Sequence, residues 1–373
     1  MNTNLRVVAG AATILAGSIY AADSHNIKQS GAVDTEKILG FKYPEYSGHF
    51  RPIRIFQAQM VPVALTVAFD SISRAIVISS KQRMARFHDR DGAEQNVVEY
   101  IDYSGDAGIS YESGALCVAS RDGKIHRFAT YAVQNANHAG PLFCMAATKN
   151  NLFLGTVNNT ITCASNDSFW GSAKTHYVGT ASGWVNALEV VDNKLISGNY
   201  NGEVALIDIE TGNRTALGNH EGHPVIAFAK FGNIVYSGAS FMVPTDIAGN
   251  ASVTASTTST SSSTAVANTS AASIGADATE IKVWDIRTAK PVCGFTDGTG
   301  VNAMVSLSKG YLAVGRKKGM ITLYDMRTLQ AAETLCTRYG QNYGSVTALT
   351  TTDDGGIIST NSNSLIEVWK ENQ

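Results

Sequence analysis

The chain has 373 residues and a net charge of -2, with 44% hydrophobic and only 16% charged residues. This composition supplies a large core and excludes an intrinsically disordered chain. The 29 basic and 31 acidic residues nearly balance, which disfavours nucleic-acid binding by broad neutralisation of phosphates. Even a patch of Arg51, Arg54, Lys317 and Lys318 would be too small to change that expectation.

Residues 1–21 permit two interpretations. One positive charge is followed by an apolar run from Val7 to Tyr20 and then by small residues, which is the layout of a secretory signal peptide. The run is too short for a membrane span. In the favoured alternative, residues 1–48 form an N-terminal arm or an extra partial repeat, because parts of them match the chain's interior. That alternative predicts a cytoplasmic or nuclear protein, whereas a signal peptide would predict secretion.

One short phrase recurs along the chain: an apolar strand that closes on an aromatic residue and is often followed by Asp. Its clearest copies are Ile281–Thr288 (IKVWDIRT) and Ile321–Thr328 (ITLYDMRT). Weaker copies are Val204–Thr211 (VALIDIET) and Leu365–Trp369 (LIEVW). Internal repeats of this kind indicate one structural unit that is built several times.

The closing residues of the copies form a series of seven anchor positions: Phe87, Phe128, Ala164, Ile207, Trp284, Tyr324 and Trp369. Their spacings are 41, 36, 43, 77, 40 and 45 residues. All but one lie near the period of about 40–45 residues of a four-stranded propeller blade. The long interval contains residues 243–278, which are mostly Ser, Thr, Ala and Asn. Removing them restores the period, so we interpret them as a loop insertion whose composition predicts disorder.

The stretches between the anchors alternate in hydrophobicity without a sustained helical period, which predicts an all-β fold. The sequence resembles the WD40-repeat family over about residues 50–373, and this resemblance implies a β-propeller, residues 49–373, of seven blades. Too few residues follow Trp369 to complete the last blade, whereas Arg51–Phe56 precedes the first repeat. We therefore expect this N-terminal strand to close the ring. The alternative is an eight-bladed ring that uses residues 4–42.

Blades of the family often contain a buried hydrogen-bond relay of His, Ser or Thr, Asp and Trp. The resemblance places this relay once, on His223, Ser237, Asp277 and Trp284. A neutral imidazole can donate and accept, so it can join Asp to a hydroxyl, and the indole N–H adds another bond. The last repeat has Asn363 where the family has Asp, so we expect it to depend more on apolar packing.

The sequence contains no motif for catalysis or metal binding, and we expect neither enzyme activity nor a cofactor. The eight histidines form no HExxH motif, and no Cys/His group has zinc spacing. There is no GxSxG motif, no Walker loop and no GxGxxG motif that opens a helix. The five cysteines are widely spaced and odd in number, which predicts reduced thiols buried in strands.

Two arginines follow the aromatic–acid pairs of the clearest repeats, in Trp284–Arg287 (WDIR) and Tyr324–Arg327 (YDMR). Both segments resemble the WDxR box of substrate receptors in cullin-4 ubiquitin ligases, where the Arg contacts the adaptor DDB1. Exposed Arg287 and Arg327 could make paired hydrogen bonds to a partner. The simpler interpretation is that each Arg pairs with the neighbouring Asp.

A rigid ring favours recognition of other proteins on the face built by two sets of loops. These are the loops that lead into the first strands and the loops between second and third strands. Trp184 and Tyr343 precede first strands and are the aromatic candidates for partner contacts. The preferred function is a scaffold or adaptor subunit of a multiprotein complex. A cullin-4 receptor and an exported ligand-binding propeller are the alternatives, and no membrane span is expected.

Overall fold

The structure is a computed structural model. It describes residues 50–57, 66–70, 74–79, 83–88, 94–99, 109–112, 115–119, 124–129, 132–137, 141–148, 151–165, 176–180, 183–240, 280–295, 300–316, 319–336 and 344–371. The proposed signal peptide, the N-terminal arm, the extra partial blade and the insertion 243–278 lie outside the described residues. Within these ranges the chain forms 28 β-strands, which confirms the all-β prediction. The same ranges contain no helix with the length and apolar character that a membrane span requires.

The first half of the described chain contains thirteen strands. They are β1 (Phe50–Gln57), β2 (Thr66–Asp70), β3 (Ala75–Ser79), β4 (Arg83–His88), β5 (Glu94–Glu99), β6 (Ile109–Glu112), β7 (Ala115–Ala119), β8 (Lys124–Ala129), β9 (Ala132–Asn137), β10 (Leu142–Ala147), β11 (Asn151–Thr156), β12 (Thr160–Ser165) and β13 (His176–Thr180).

The second half contains fifteen strands. They are β14 (Val185–Val191), β15 (Lys194–Asn199), β16 (Glu203–Asp208), β17 (Arg214–Asn219), β18 (Val225–Phe231), β19 (Ile234–Ala239), β20 (Ile281–Asp285), β21 (Lys290–Phe295), β22 (Ala303–Leu307), β23 (Tyr311–Gly315), β24 (Ile321–Asp325), β25 (Gln330–Leu335), β26 (Val346–Thr351), β27 (Ile357–Asn361) and β28 (Leu365–Glu371).

The strands form seven four-stranded antiparallel sheets within the described residues. Sheets 1 to 6 each take four consecutive strands, starting with β2, β6, β10, β14, β18 and β22. Sheet 7 has the order β1-β28-β27-β26, so its outer strand comes from the other end of the chain. Because neighbouring strands are mostly joined by short turns, each sheet is a local unit of the sequence.

The strand expected at Arg51–Phe56 is present as β1 and pairs with the last strand of the chain. Its register runs from Phe50 opposite Glu371 to Gln57 opposite Leu365. Phe50 is buried beside Trp369, and its N–H donates to Glu333 Oε2 of sheet 6 at 3.2 Å. These contacts join the N-terminal strand both to sheet 7 and to the neighbouring sheet.

First strands of successive sheets contact each other in the order β2, β6, β10, β14, β18, β22, β26 and again β2. The fourth strands face outward: β17 and β25 are mostly exposed, whereas second strands such as β19 are buried throughout. The core therefore lies between successive sheets. This arrangement is consistent with a β-propeller-like fold.

The seven anchors occupy one structural position. Each lies on the third strand of its sheet and pairs with an apolar residue near the start of the second strand. The pairs are Phe87 with Ile76, Phe128 with Leu116, Ala164 with Leu152, Ile207 with Leu195, Trp284 with Val235, Tyr324 with Leu312 and Trp369 with Ile357. The repeat found in the sequence is thus a repeat of strand register.

Four glycines near the ends of second strands let successive sheets approach closely. A Cβ atom at Gly198 would lie 2.6 Å from Val225 Cβ, at the start of the next sheet. The same crowding recurs between three other glycine–valine pairs in consecutive sheets: Gly155 with Val185, Gly238 with Val301 and Gly315 with Val346. A residue with a side chain would therefore push two sheets apart at these positions.

Candidate partner-binding surface

The loops that lead into first strands lie beside the turns that follow second strands. In four sheets, the residue after the second strand donates a backbone hydrogen bond to the residue before the first strand. These bonds join Val157 to Pro141 (3.3 Å), Tyr200 to Trp184 (2.9 Å), Ser240 to Pro224 (3.0 Å) and Ser362 to Ser345 (2.9 Å). The two sets of segments therefore share one edge of the sheets, here named the loop face.

Polar side chains rigidify several turns of the loop face. Thr156 Oγ1, Asn199 Oδ1 and Asn361 Oδ1 accept backbone N–H groups from the residues that begin the third strands, at 3.3, 2.9 and 3.0 Å. Side chains that accept such bonds satisfy donors that a tight turn would otherwise leave to water. The loop face is therefore held in shape by its own hydrogen bonds in these sheets.

Trp184 belongs to an aromatic cluster where sheets 3 and 4 meet on the loop face. Its ring stacks on Phe143, with centroids 5.7 Å apart and planes at 19°, and it contacts Tyr200 at 5.3 Å. Phe143 is buried, whereas Trp184 and Tyr200 are half-buried. A supported indole with part of its surface accessible is a suitable contact for a protein partner.

Tyr343, the second aromatic candidate, lies outside the described residues. The residue of sheet 7 that corresponds to Trp184 is Ser345, because both directly precede the valine that starts the first strand. In the described chain, the aromatic surface at first strands is therefore built around Trp184.

The two turn arginines lie at the opposite edge of sheets 5 and 6. Arg287 donates from Nε to Asp285 Oδ1 at 3.0 Å and from Nη2 to Oδ2 at 2.8 Å. Arg327 binds Asp325 in the same way, at 3.1 and 2.7 Å. Each Arg thus pairs with its neighbouring Asp. Arg287 nevertheless leaves 53% of its side chain exposed.

The charge of the first of these pairs is fixed by its own contacts. Side-chain hydrogen bonds from Arg287 hold the pKa of Asp285 below its usual value, against the smaller opposing effect of partial burial. The same bonds raise the pKa of Arg287. The turn therefore carries a carboxylate and a guanidinium over the whole physiological pH range.

Ser237 joins a buried tryptophan and a buried histidine in sheet 5. Trp284 Nε1 donates to Ser237 Oγ at 2.7 Å, and His220 Nε2 lies 2.7 Å from the same oxygen. All three side chains are almost completely buried. The relay predicted for this sheet thus brings Ser237 and Trp284 together, while Asp277 lies outside the described residues.

The histidine that contacts Ser237 is His220, whereas the sequence analysis placed the relay histidine at His223. Glu221 and Gly222 both have positive φ angles, 55° and 83°, and His223 N–H donates to His220 O at 2.9 Å. These values define a tight two-residue turn. The turn separates the two histidines, so that His220 points into the sheet interior and His223 stays half-buried at the loop face.

Sheet 7 contains a second relay that the sequence did not reveal. Trp369 Nε1 donates to Ser359 Oγ at 3.1 Å, and Ser359 Oγ donates to Glu367 Oε2 at 3.1 Å. All three residues are buried. Asn363, where the family has Asp, is exposed. The acid therefore comes from the third strand itself, two residues before the tryptophan.

A buried carboxylate also joins the first strands of sheets 4 and 5. Glu189 lies 2.8 Å from Lys230 Nζ, which also donates to Val190 O. Burial raises the pKa of Glu189, and the attraction of Lys230 opposes that rise. Lys230 O accepts a hydrogen bond from Ser306 of sheet 6, so this contact links three successive sheets.

The cysteines differ in exposure. Cys144 is buried and donates from Sγ to Val185 O at 3.3 Å, whereas Cys336 is exposed. Burial raises the pKa of the Cys163 and Cys293 thiols to about 11. All four are reduced thiols. The part of the chain that the structure describes contains no group of three or more His, Cys, Asp or Glu residues suited to a metal ion.

No protein-family model matches the chain, and no curated protein matches it.

Proposed function

We propose that the chain is a closed seven-bladed WD40-type β-propeller that acts as a non-catalytic scaffold inside the cell. Three observations support the ring: the circular order of first-strand contacts, the pairing of β1 with β28, and the common register of the anchors. In such a ring the sheets are blades, and the loop face is one of its two broad surfaces.

The aromatic cluster around Trp184 carries the proposal of protein recognition. Its indole is stacked on a buried ring and held on a hydrogen-bonded backbone, so little conformational entropy is lost when a partner covers it. Tryptophans on rigid surfaces are enriched among residues that dominate binding energy. The partner we infer is another protein of a stable complex.

Affinity purification of the tagged full chain, followed by quantitative mass spectrometry, tests this proposal. We expect at least one stoichiometric partner, and Trp184→Ala should reduce its recovery by about tenfold or more, since such truncations cost about 2 kcal/mol. Phe231→Ala is the matched control, because Phe231 is a half-buried aromatic at the opposite end of first strand β18. Recovery of the chain alone, or equal recovery with Trp184→Ala, would contradict the proposal.

A cullin-4 ubiquitin-ligase receptor is the second candidate function, because Arg287 is exposed on a rigid turn. Arg287→Ala and Arg327→Ala should each abolish capture of purified DDB1 if this function is correct. Trp184→Ala should leave that capture intact, since it lies on the other edge of the sheets. Absence of DDB1 binding to the unmodified chain would exclude this candidate.

A further inference from the structure

An ion pair is completely buried where sheets 5 and 6 meet at the loop face. The side chains of Arg316 and Glu280 are 1% and 0% exposed, and Arg316 Nη1 lies 3.2 Å from Glu280 Oε2. Arg316 also donates to Gly300 O at 2.9 Å and to Tyr324 OH at 2.7 Å, and the Gly300 N–H donates to Glu280 Oε1. The cluster ties three separate loop-face segments together.

The corresponding glutamate of sheet 4 is held differently. Glu203 directly precedes Val204, which pairs with Gly198, and Glu280 likewise precedes Ile281, which pairs with Gly238. In sheet 4, Asn199 Nδ2 donates to Glu203 Oε2 at 3.3 Å and Asn199 Oδ1 accepts the Glu203 N–H. Sheet 4 thus positions its glutamate with a residue of its own second strand.

Sheet 5 lacks that residue, since the position of Asn199 is taken by Ala239. The residue that follows the interface glycine of sheet 6 is Arg316. Its backbone N–H donates to Met320 O across its own turn, while its side chain reaches back to Glu280. The guanidinium also binds the hydroxyl of Tyr324, the anchor of sheet 6. Asn199 and Arg316 thus occupy equivalent positions, but the Asn199 side chain binds within its own sheet, whereas the Arg316 side chain binds the neighbouring sheet.

The two connections differ greatly in length. Residues 200–202 join the second and third strands of sheet 4, whereas residues 240–280 join those of sheet 5. The probability that a flexible chain brings its ends together falls with about the 3/2 power of its length, which gives a factor of roughly 50 between these two connections. Sheet 5 therefore needs an additional contact to hold the start of its third strand.

We propose that Arg316 is a clamp that allows sheet 5 to carry its long second-to-third connection. Glu280 directly precedes the third strand of sheet 5, and Arg316 holds it against sheet 6. A buried ion pair is costly to desolvate, so its value lies in the position that it specifies. The clamp is independent of any partner and goes beyond the proposed scaffold function.

A test with four proteins separates a clamp from an ordinary buried ion pair. The first two proteins are the full chain and a shortened chain, in which Asn-Gly replaces residues 241–279 and copies the Asn201-Gly202 turn of sheet 4. The other two carry the double substitution Glu280→Gln/Arg316→Met in each of these chains. Changing both partners avoids an uncompensated buried charge. Hydrogen exchange is followed at the amide of Ala239, which donates to Glu280 O at 2.8 Å, and at that of Gly300.

We expect the double substitution to speed exchange at Ala239 and Gly300 in the full chain by up to roughly 50-fold, the factor by which the longer connection disfavours closure of the sheet. In the shortened chain the increase should be at most a few-fold, because the short turn holds Glu280 in place by itself. An equal increase in both chains would overturn the proposal, since the pair would then act without regard to the connection.

Asp325→Asn/Arg327→Met in the full chain is the matched control. It removes the same kind of pair from sheet 6, but at the opposite edge and in a partly exposed position. It should leave exchange at Ala239 and Gly300 unchanged. If the shortened chain does not fold, the full chain still decides: unchanged exchange with Glu280→Gln/Arg316→Met, or an equal effect of the control, overturns the proposal.

Discussion

Substitution of Gly198 by Ala tests whether the interface glycines set the distance between successive sheets. The added Cβ would lie 2.6 Å from Val225 Cβ and 3.0 Å from Phe228 Cζ, well inside ordinary carbon–carbon contact. Val225 is β-branched and completely buried, so it has few alternative rotamers. The strain must therefore move the strands of sheets 4 and 5 apart.

Two opposing effects set the size of the change. Removal of a glycine from a strand interior favours the folded state by about 0.5–1 kcal/mol. Overpacking of a dense core costs about 1–3 kcal/mol. We therefore expect Gly198→Ala to lower the free energy of unfolding by about 0.5–2 kcal/mol. A stabilising effect would show that the contact is not tight.

A double-mutant cycle with Val225→Ala identifies the cause, with chemical denaturation as the assay. Val225→Ala alone should cost about 2 kcal/mol through loss of buried methyl groups. The double variant should cost at least 0.5 kcal/mol less than the sum, since the new methyl enters the vacated space, whereas independent sites add within about 0.5 kcal/mol. Gly232→Ala is the control: a Cβ there has open space, so its cost should add to that of Val225→Ala. Additivity at Gly198 would refute the reasoning.

Three further predictions concern buried polar groups and thiols. Ser359→Ala should lower the free energy of unfolding by about 1–3 kcal/mol, measured by denaturation, because it leaves an indole N–H and a carboxylate without their hydroxyl partner. Burial raises the pKa of Glu189, so the native state holds its proton more strongly than the unfolded chain. Its contribution to stability is then lost as pH rises from the ordinary value of 4.5 through the native pKa, and Glu189→Gln should reduce this loss in a series of Tm against pH. Iodoacetamide should label Cys336 in the native protein roughly tenfold faster or more than Cys144, as mass spectrometry would show, because Cys336 is exposed and Cys144 is buried.

Strand register was predictable from the sequence because it follows from local pattern. The anchor residues are large and apolar in most copies, and each pairs with a strand that is close in sequence. The closing strand β1 was predictable for a different reason: the last repeat supplies only three strands, and β1 completes its sheet to the four strands of the other sheets. Both inferences depend on backbone hydrogen bonding, which every repeat must satisfy regardless of its side chains.

The members of the two relays were harder to predict because they depend on turn geometry. Gly222-His223 lies where the resemblance placed the relay histidine, yet two positive φ angles in succession bring His220 into the interior. In sheet 7, Glu367 alternates with apolar neighbours on β28, as a solvent-facing residue of a strand would. Its burial follows from the neighbouring sheet that covers this face, which no local pattern records.

The contacts between sheets could not be predicted from the sequence for a related reason. In the sequence, Gly198 is simply a glycine near the end of a strand. Its role in the close approach of two sheets depends on the side chain of Val225 from the next repeat. Arg316 likewise reads as a surface cation, although it is buried against Glu280. In a repeat-built fold the strands are local, but each interface combines residues from two consecutive repeats.

The scaffold and ligase hypotheses place the partner on opposite edges of the same sheets, so one set of variants can separate them. Trp184 lies on the loop face, whereas Arg287 lies in a turn between third and fourth strands. Because Asp285 already fixes the guanidinium, a partner at Arg287 would meet a preorganised cation, and Asp285→Asn should weaken that binding nearly as much as Arg287→Ala. A complex sensitive to Trp184→Ala and indifferent to Asp285→Asn would therefore place the partner on the loop face.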